Sequence, residues 1–114
     1  MIVEDKDFSV TFEPSERRVR FEGQLRLRSP RDYAPVLELL RAAHEQSAEA
    51  LTLDFRGLDM LNSSGIGTFG HFLIEVRGAR RIRLTVLGSA AKPWQARTLS
   101  TLRKIWSGIE LIID

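Results

Sequence analysis

An α/β domain with a mixed sheet is the fold class that the sequence predicts. Residues 8–12 and 18–22 alternate apolar and polar side chains, as two strands of an antiparallel hairpin do. Further on, apolar runs of strand length alternate with segments of helical period, which gives the order ββαβαβαβ. Strands interleaved with helices rejoin one sheet through crossovers, so these strands lie parallel and the helices pack mainly on one side. The 114 residues suit a single domain, 1–114, around one core.

The elements follow in order. Glu13 to Glu16 reads as the hairpin turn, and Gly23 interrupts the second strand ahead of Leu25 and Leu27. The first helix contains Pro35, which is tolerated only in a first turn, so Asp32 is expected as its N-cap. Tyr33, Val36, Leu37, Leu40 and Ala43 form its apolar stripe, and His44 near its C-terminal end reads as a surface or dipole-complementing residue rather than a ligand. Leu51 to Phe55 is the next strand. A second helix starts near Asn62 and ends before Gly78, with Ile66, Phe69, Leu73 and Val76 inward and Thr68, His71 and Glu75 on the other side. Gly67 and Gly70 each weaken that helix by about 1 kcal/mol relative to Ala, which points to close packing against them. Ile82 to Leu87 is a buried strand. A third helix from about Lys92 to Trp106 turns Leu99, Leu102, Ile105 and Trp106 inward, and Ile109 to Ile113 is the last strand. Trp94 at the third helix start reads either as packing or as an interface anchor.

Composition narrows the chemistry. Hydrophobic residues at 43% and charged residues at 28% are ordinary for a soluble globular chain. The absence of Cys excludes disulfides, thiolate metal sites and Cys catalysis, and two His make a metal site improbable. The acidic N-terminus has no apolar run of signal-peptide type, and no stretch approaches the ~20 apolar residues of a membrane span. A cytoplasmic protein with no membrane insertion is expected. Arg77, Arg80, Arg81 and Arg83 form a basic run, read as a solvated helix end rather than a nucleic-acid site, because no aromatic interleaving accompanies it.

The segment that asks for a function is Asn62-Ser63-Ser64-Gly65, where a strand gives way to a helix. Asn62 is a good N-cap, and a capped helix needs no further role. A serine nucleophile needs a base, and His71 lies eight residues along the same helix, about 12 Å from Ser63 at 1.5 Å per residue. The G-x-S-x-G elbow and the P-loop lysine are both absent. A modified hydroxyl is the remaining option. A phosphate on Ser63 would meet the positive end of a helix, yet change the outer surface by about −2 charges.

This pattern resembles the STAS domain family of sulfate transporters and anti-sigma factor antagonists over nearly the whole chain. The resemblance rests on Gly23–Arg26 before the first helix, Leu51–Leu58, Asn62–Gly67, the Leu87–Ser89 turn and the Ser-Gly-Ile before the final strand. It implies a non-enzymatic partner-switching regulator without a cofactor. Its partner would be a GHKL-type anti-sigma kinase that phosphorylates Ser63, with a phosphatase to reverse the mark. Asn62, Ser64 and Gly65 would complete the phosphosite turn, and Arg26, Thr68, His71 and Glu75 would lie on the partner interface. Asn62 and Arg26 stand where the family usually has acids. That removes negative charge beside Ser63, and Arg26 could pair with a phosphate there. The resemblance leaves an alternative: an accessory subunit of a lipid-transport ABC ATPase.

Overall fold

The computed structural model describes residues 1–79 and 82–114. Six strands form one sheet in sequential order: β1 (Ile2–Glu4), β2 (Phe8–Glu13), β3 (Arg18–Leu25), β4 (Ala50–Leu61), β5 (Arg83–Gly88) and β6 (Glu110–Ile113). The first three strands pair antiparallel, and β3 to β6 pair parallel. Three helices make the crossovers: α1 (Ala34–Gln46), α2 (Ser63–Ala79) and α3 (Pro93–Ile105). Each crossover advances by one strand in the same direction. Crossovers of one hand therefore place all three helices on one face of the sheet.

The burial pattern agrees with that layering. Phe8, Val10 and Phe12 of β2 are buried, as are Val19 and Phe21 of β3 and Leu51, Leu53 and Phe55 of β4. Their neighbours Thr11, Arg20 and Thr52 point to the other, partly solvated face. At the centre, Phe21 stacks on Phe55 with ring centroids 4.4 Å apart, and Phe69 of α2 meets both rings edge-on at 5.2 Å. This aromatic triplet fixes α2 over the middle of the sheet.

Several elements differ from the sequence expectation. Strand β1 is additional; it is only three residues long, too short to show a period. Strand β4 continues past Phe55 to Leu61, with irregular register against β3 that breaks the apolar alternation. Gly23 interrupts β3, with a register shift against β4, but does not end it. It takes φ +88° inside the strand, and a Cβ there would collide with the Asp7 carbonyl. Asp32 is not the cap of α1. Ser29 caps a 3₁₀ turn, Pro30–Tyr33, by accepting from the Asp32 N–H at 3.4 Å, and α1 continues from that turn. Pro35 still lies in a first turn, as its missing N–H requires.

His44 lies in the last turn of α1, where a dipole-complementing residue would be, but it is not at the surface: it is buried with its ring edge-on to Phe72 at 6.2 Å. Phe72 joins the core while Ile66 is only half-buried. Gly70 does meet a close neighbour, Ile105 of α3, whereas a Cβ on Gly67 would meet nothing within 4 Å. Of the basic run, Arg77 donates to the Ile105 carbonyl at the end of α3, at 2.8 Å, and Arg83 is exposed. Arg80 and Arg81 lie outside the described residues. No helix among the described residues is long and apolar enough to cross a membrane.

Candidate functional site

The site is built where β4 ends and α2 begins. Leu61 pairs with Leu25 of β3, and the next N–H, that of Asn62, donates to the Leu25 carbonyl at 3.1 Å. The Asn62 side chain then works in two directions. Its Oδ1 accepts from the Gly65 N–H at 3.0 Å, which is the helix cap, and from the Tyr33 hydroxyl at 2.7 Å. Its Nδ2 donates to the Leu27 carbonyl at 2.7 Å. One amide thus joins the start of α2 to the loop between β3 and α1. Tyr33 is wholly buried, and burial pushes its phenol above the ordinary value. It remains a donor to Asn62 at neutral pH.

Gly65 is required by this crowding. A Cβ there would run into the Leu61 side chain and come within 2.8 Å of the Tyr33 hydroxyl oxygen. Ser63 occupies the first position of α2 and is exposed; Ser64 is half-buried. Their N–H groups precede the intrahelical ladder, which opens with Ile66 N–H on the Asn62 carbonyl at 3.0 Å.

Beside Ser63 runs an open groove of about 590 Å³ between the Pro30 turn, α1 and α2. Pro30 and Leu37 form one wall, and Ser63, Ser64, Gly67, Thr68 and His71 the other. The lack of a side chain at Gly67 keeps it open. Thr68, expected on the outer side, is buried because α1 packs alongside α2; its Oγ1 donates to the Ser64 carbonyl at 2.9 Å.

His71 shares the groove with Ser63, but its Nε2 is 3.0 Å from Glu75 Oε2, one turn further from the serines. Among the described residues no hydrogen bond joins His71 to Ser63 or Ser64. The Ser, His and acid therefore do not form a relay. Glu75 is itself held by a two-pronged ion pair across the helices: Arg41 Nε to Oε1 at 2.9 Å and Nη2 to Oε2 at 2.6 Å. Those hydrogen bonds from Arg41 hold the Glu75 carboxyl below its usual range. Glu75 thus ties α1 to α2. Arg26 is exposed in the loop just past β3, next to the Leu25 carbonyl that holds Asn62.

Sequence reasoning missed two supports. Asp54 on β4 is 4% exposed and accepts from Arg56 Nε and Nη2 and from Arg18 Nη1, each at 2.9 Å. Burial pushes its carboxyl up, but the hydrogen bonds from Arg56 and Arg18 outweigh this and leave it below the ordinary value. Gln95 of α3 is fully buried; its Nε2 donates to the Phe55 and Leu58 carbonyls at 2.7 and 2.8 Å, and its Oε1 accepts from Ser89 N–H at 2.8 Å. It pins the irregular end of β4 that leads into Asn62. A polar residue among the apolar positions of a predicted helix was the available signal. Trp94 is half-buried and lines a hollow with Met60 and Leu61, while Trp106 packs at the end of α3 over Gly108. Among the described residues no group of three His, Cys, Asp or Glu is arranged to hold a metal.

Compared with family profiles and with curated sequences, the chain gives no match. Its fold does match solved structures. It is similar to apo-SiaC from Pseudomonas aeruginosa, with a TM-score of 0.74 at 15% identity, covering 100% of this chain and 98% of that one. It is also similar to a second structure of SiaC, with a TM-score of 0.70 at 16% identity, covering 100% of this chain and 96% of that one. A third match is to a structure of the diguanylate cyclase SiaD from that organism in complex with its activator SiaC, with a TM-score of 0.71 at 15% identity over 100% of this chain and 99% of the matched one. At this identity the likeness establishes the fold, a mixed six-stranded α/β sheet with three helices.

Proposed function

We propose that this chain is a non-enzymatic, cytoplasmic partner-switching regulator of the STAS type. A protein partner docks over the start of α2, and phosphorylation of Ser63 releases it. The observation that carries this reading is the exposed Ser63 hydroxyl on the rim of an open groove. The helix start beneath it is already capped by Asn62 through Gly65 N–H. A phosphoryl group from ATP, transferred to Ser63 Oγ with release of ADP, would meet free first-turn N–H groups, so the fold tolerates it. The docked partner would face a new dianion.

The sequence motif points to a GHKL-type anti-sigma kinase as that partner. The structural likeness to SiaC, the activator of a diguanylate cyclase, adds a signalling enzyme of that kind as a second partner class. Capture from native cytoplasm with wild-type, Ser63→Ala and Ser63→Asp baits separates the possibilities. The expected result is a GHKL kinase or a cyclase held by wild type and Ser63→Ala but not by Ser63→Asp. Transporter ATPase subunits held equally by all three baits would replace this reading with the ABC accessory-subunit alternative.

A further inference from the structure

We infer that the partner segment that docks at this groove is acidic, with an apolar side chain at its centre. The inference rests on the reading of the groove as a docking face and specifies what binds there. The loop from β3 to α1 carries Arg26, Arg28 and Arg31, all exposed. Among the described residues none of the three has a carboxylate within ion-pair distance, whereas Arg18, Arg20, Arg41 and Arg56 do. Asp32 is the one acid between residues 26 and 33, so this stretch carries a net +2, the same as the entire chain. Beside the groove the loop thus sets three guanidiniums against one carboxylate, while the chain's other basic region, the acid-free stretch 76–109, lies elsewhere in the sequence.

That loop is fixed against the groove. Asn62 holds the Leu25 and Leu27 carbonyls, on either side of Arg26. Leu25 and Leu27 turn inward while Arg26 and Arg28 turn out, and Pro30, next to Arg31, forms a groove wall. The groove itself is lined by Pro30 and Leu37, with the Thr68 hydroxyl already occupied by the Ser64 carbonyl. An apolar anchor fills such a space, and carboxylates beside it meet unpaired guanidiniums in fork geometry. The apolar lining and the absence of exposed stacking aromatics along the loop favour an acidic polypeptide over a nucleic acid.

The test selects 12-residue peptides from a random display library on the full chain. The recovered peptides are then titrated into labelled protein by NMR. The expected peptides carry Leu, Met or Phe flanked by Asp or Glu and shift the Gly67 and Thr68 amides. The charge-reversed protein R26E/R28E/R31E should bind them about tenfold or more weakly, and the neutral R26Q/R28Q/R31Q should fall between, with added salt weakening wild type most. Unchanged thermal unfolding of both variants keeps the comparison free of folding effects. Groove-bound peptides that are neutral or basic, or that ignore the charge reversal, overturn the acidic inference and leave the docking reading standing. No peptide shifting the groove amides overturns both. A mixed-sequence single-stranded RNA that binds the arginines more tightly than any peptide overturns the choice of a polypeptide.

Discussion

The Asn62 amide donates to the Leu27 carbonyl at 2.7 Å, a bond that a carboxylate in its place cannot make. This explains why Asn suits a position where Asp would cap the helix equally well. An Asp here would keep the bonds from Tyr33 and Gly65 but set a negative oxygen against a carbonyl. We predict that Asn62→Asp costs about 1 kcal/mol and Asn62→Ala about 2–3 kcal/mol, the latter losing all three bonds. Urea unfolding at neutral pH measures both; an Asp variant more stable than wild type would remove the proposed role of the Leu27 bond.

Two glycines two residues apart, on opposite sides of α2, should respond oppositely to the same substitution. Gly65→Ala forces a methyl against Leu61 and Tyr33, both packed, so a loss of about 1–3 kcal/mol is expected. Gly67→Ala meets nothing within 4 Å and gains helix propensity, so a stabilisation approaching 1 kcal/mol is expected. Thermal unfolding of the pair checks this. The same Gly67 methyl narrows the groove, so the stabilised variant should bind groove peptides less well.

The sequence exposed what depends on neighbours and hid what depends on distant partners. Alternation marked β2 and β3, and helical spacing placed Phe69, Leu73 and Val76 in the core, where they are buried. The strand-to-helix step at Asn62 was legible because capping is local. The partner of its Nδ2 was not, because Leu27 is 35 residues away in sequence. Thr68 and Glu75 read as outward residues on an isolated helix; packing of α1 buried the first and paired the second with Arg41. Ser29 displaced Asp32 as the cap because a 3₁₀ turn precedes α1, and a short turn leaves no period to read.

Asp54 should make stability sensitive to acid. Its carboxyl is held below the ordinary value in the folded state, so its contribution is present above the unfolded Asp value of about 3.9 and is lost as pH falls through the folded one. Asp54→Asn removes this titration. The expected cost at pH 7 is about 2–3 kcal/mol, below the ~3–5 kcal/mol of a fully buried pair because the arginine partners reach water. The gap between wild type and variant should be flat from pH 7 to about 5 and close as pH drops below about 4. Urea midpoints across that range measure it, and a gap that widens in acid would show that Asp54 is not the stabilised anion.

Gln95 should control the Ser63 site without touching it. It satisfies two buried carbonyls of β4 and the part-buried Ser89 N–H. Gln95→Leu keeps the volume but leaves those groups unpaired, and a loss of about 3 kcal/mol is expected. The loosened segment is the irregular end of β4, from Leu58 to Leu61, which aims Asn62 and hence Ser63. Amide hydrogen exchange should therefore rise over residues 58–65 more than over α1, whose contacts with the sheet lie elsewhere. Gln95→Glu adds a pH signature. Only the protonated acid can donate to a carbonyl, so burial raises the pKa of Glu at position 95 and the variant gains stability as pH falls through it. An exchange increase spread evenly over the chain would mean that Gln95 supports the whole core rather than the end of β4 that presents the serine.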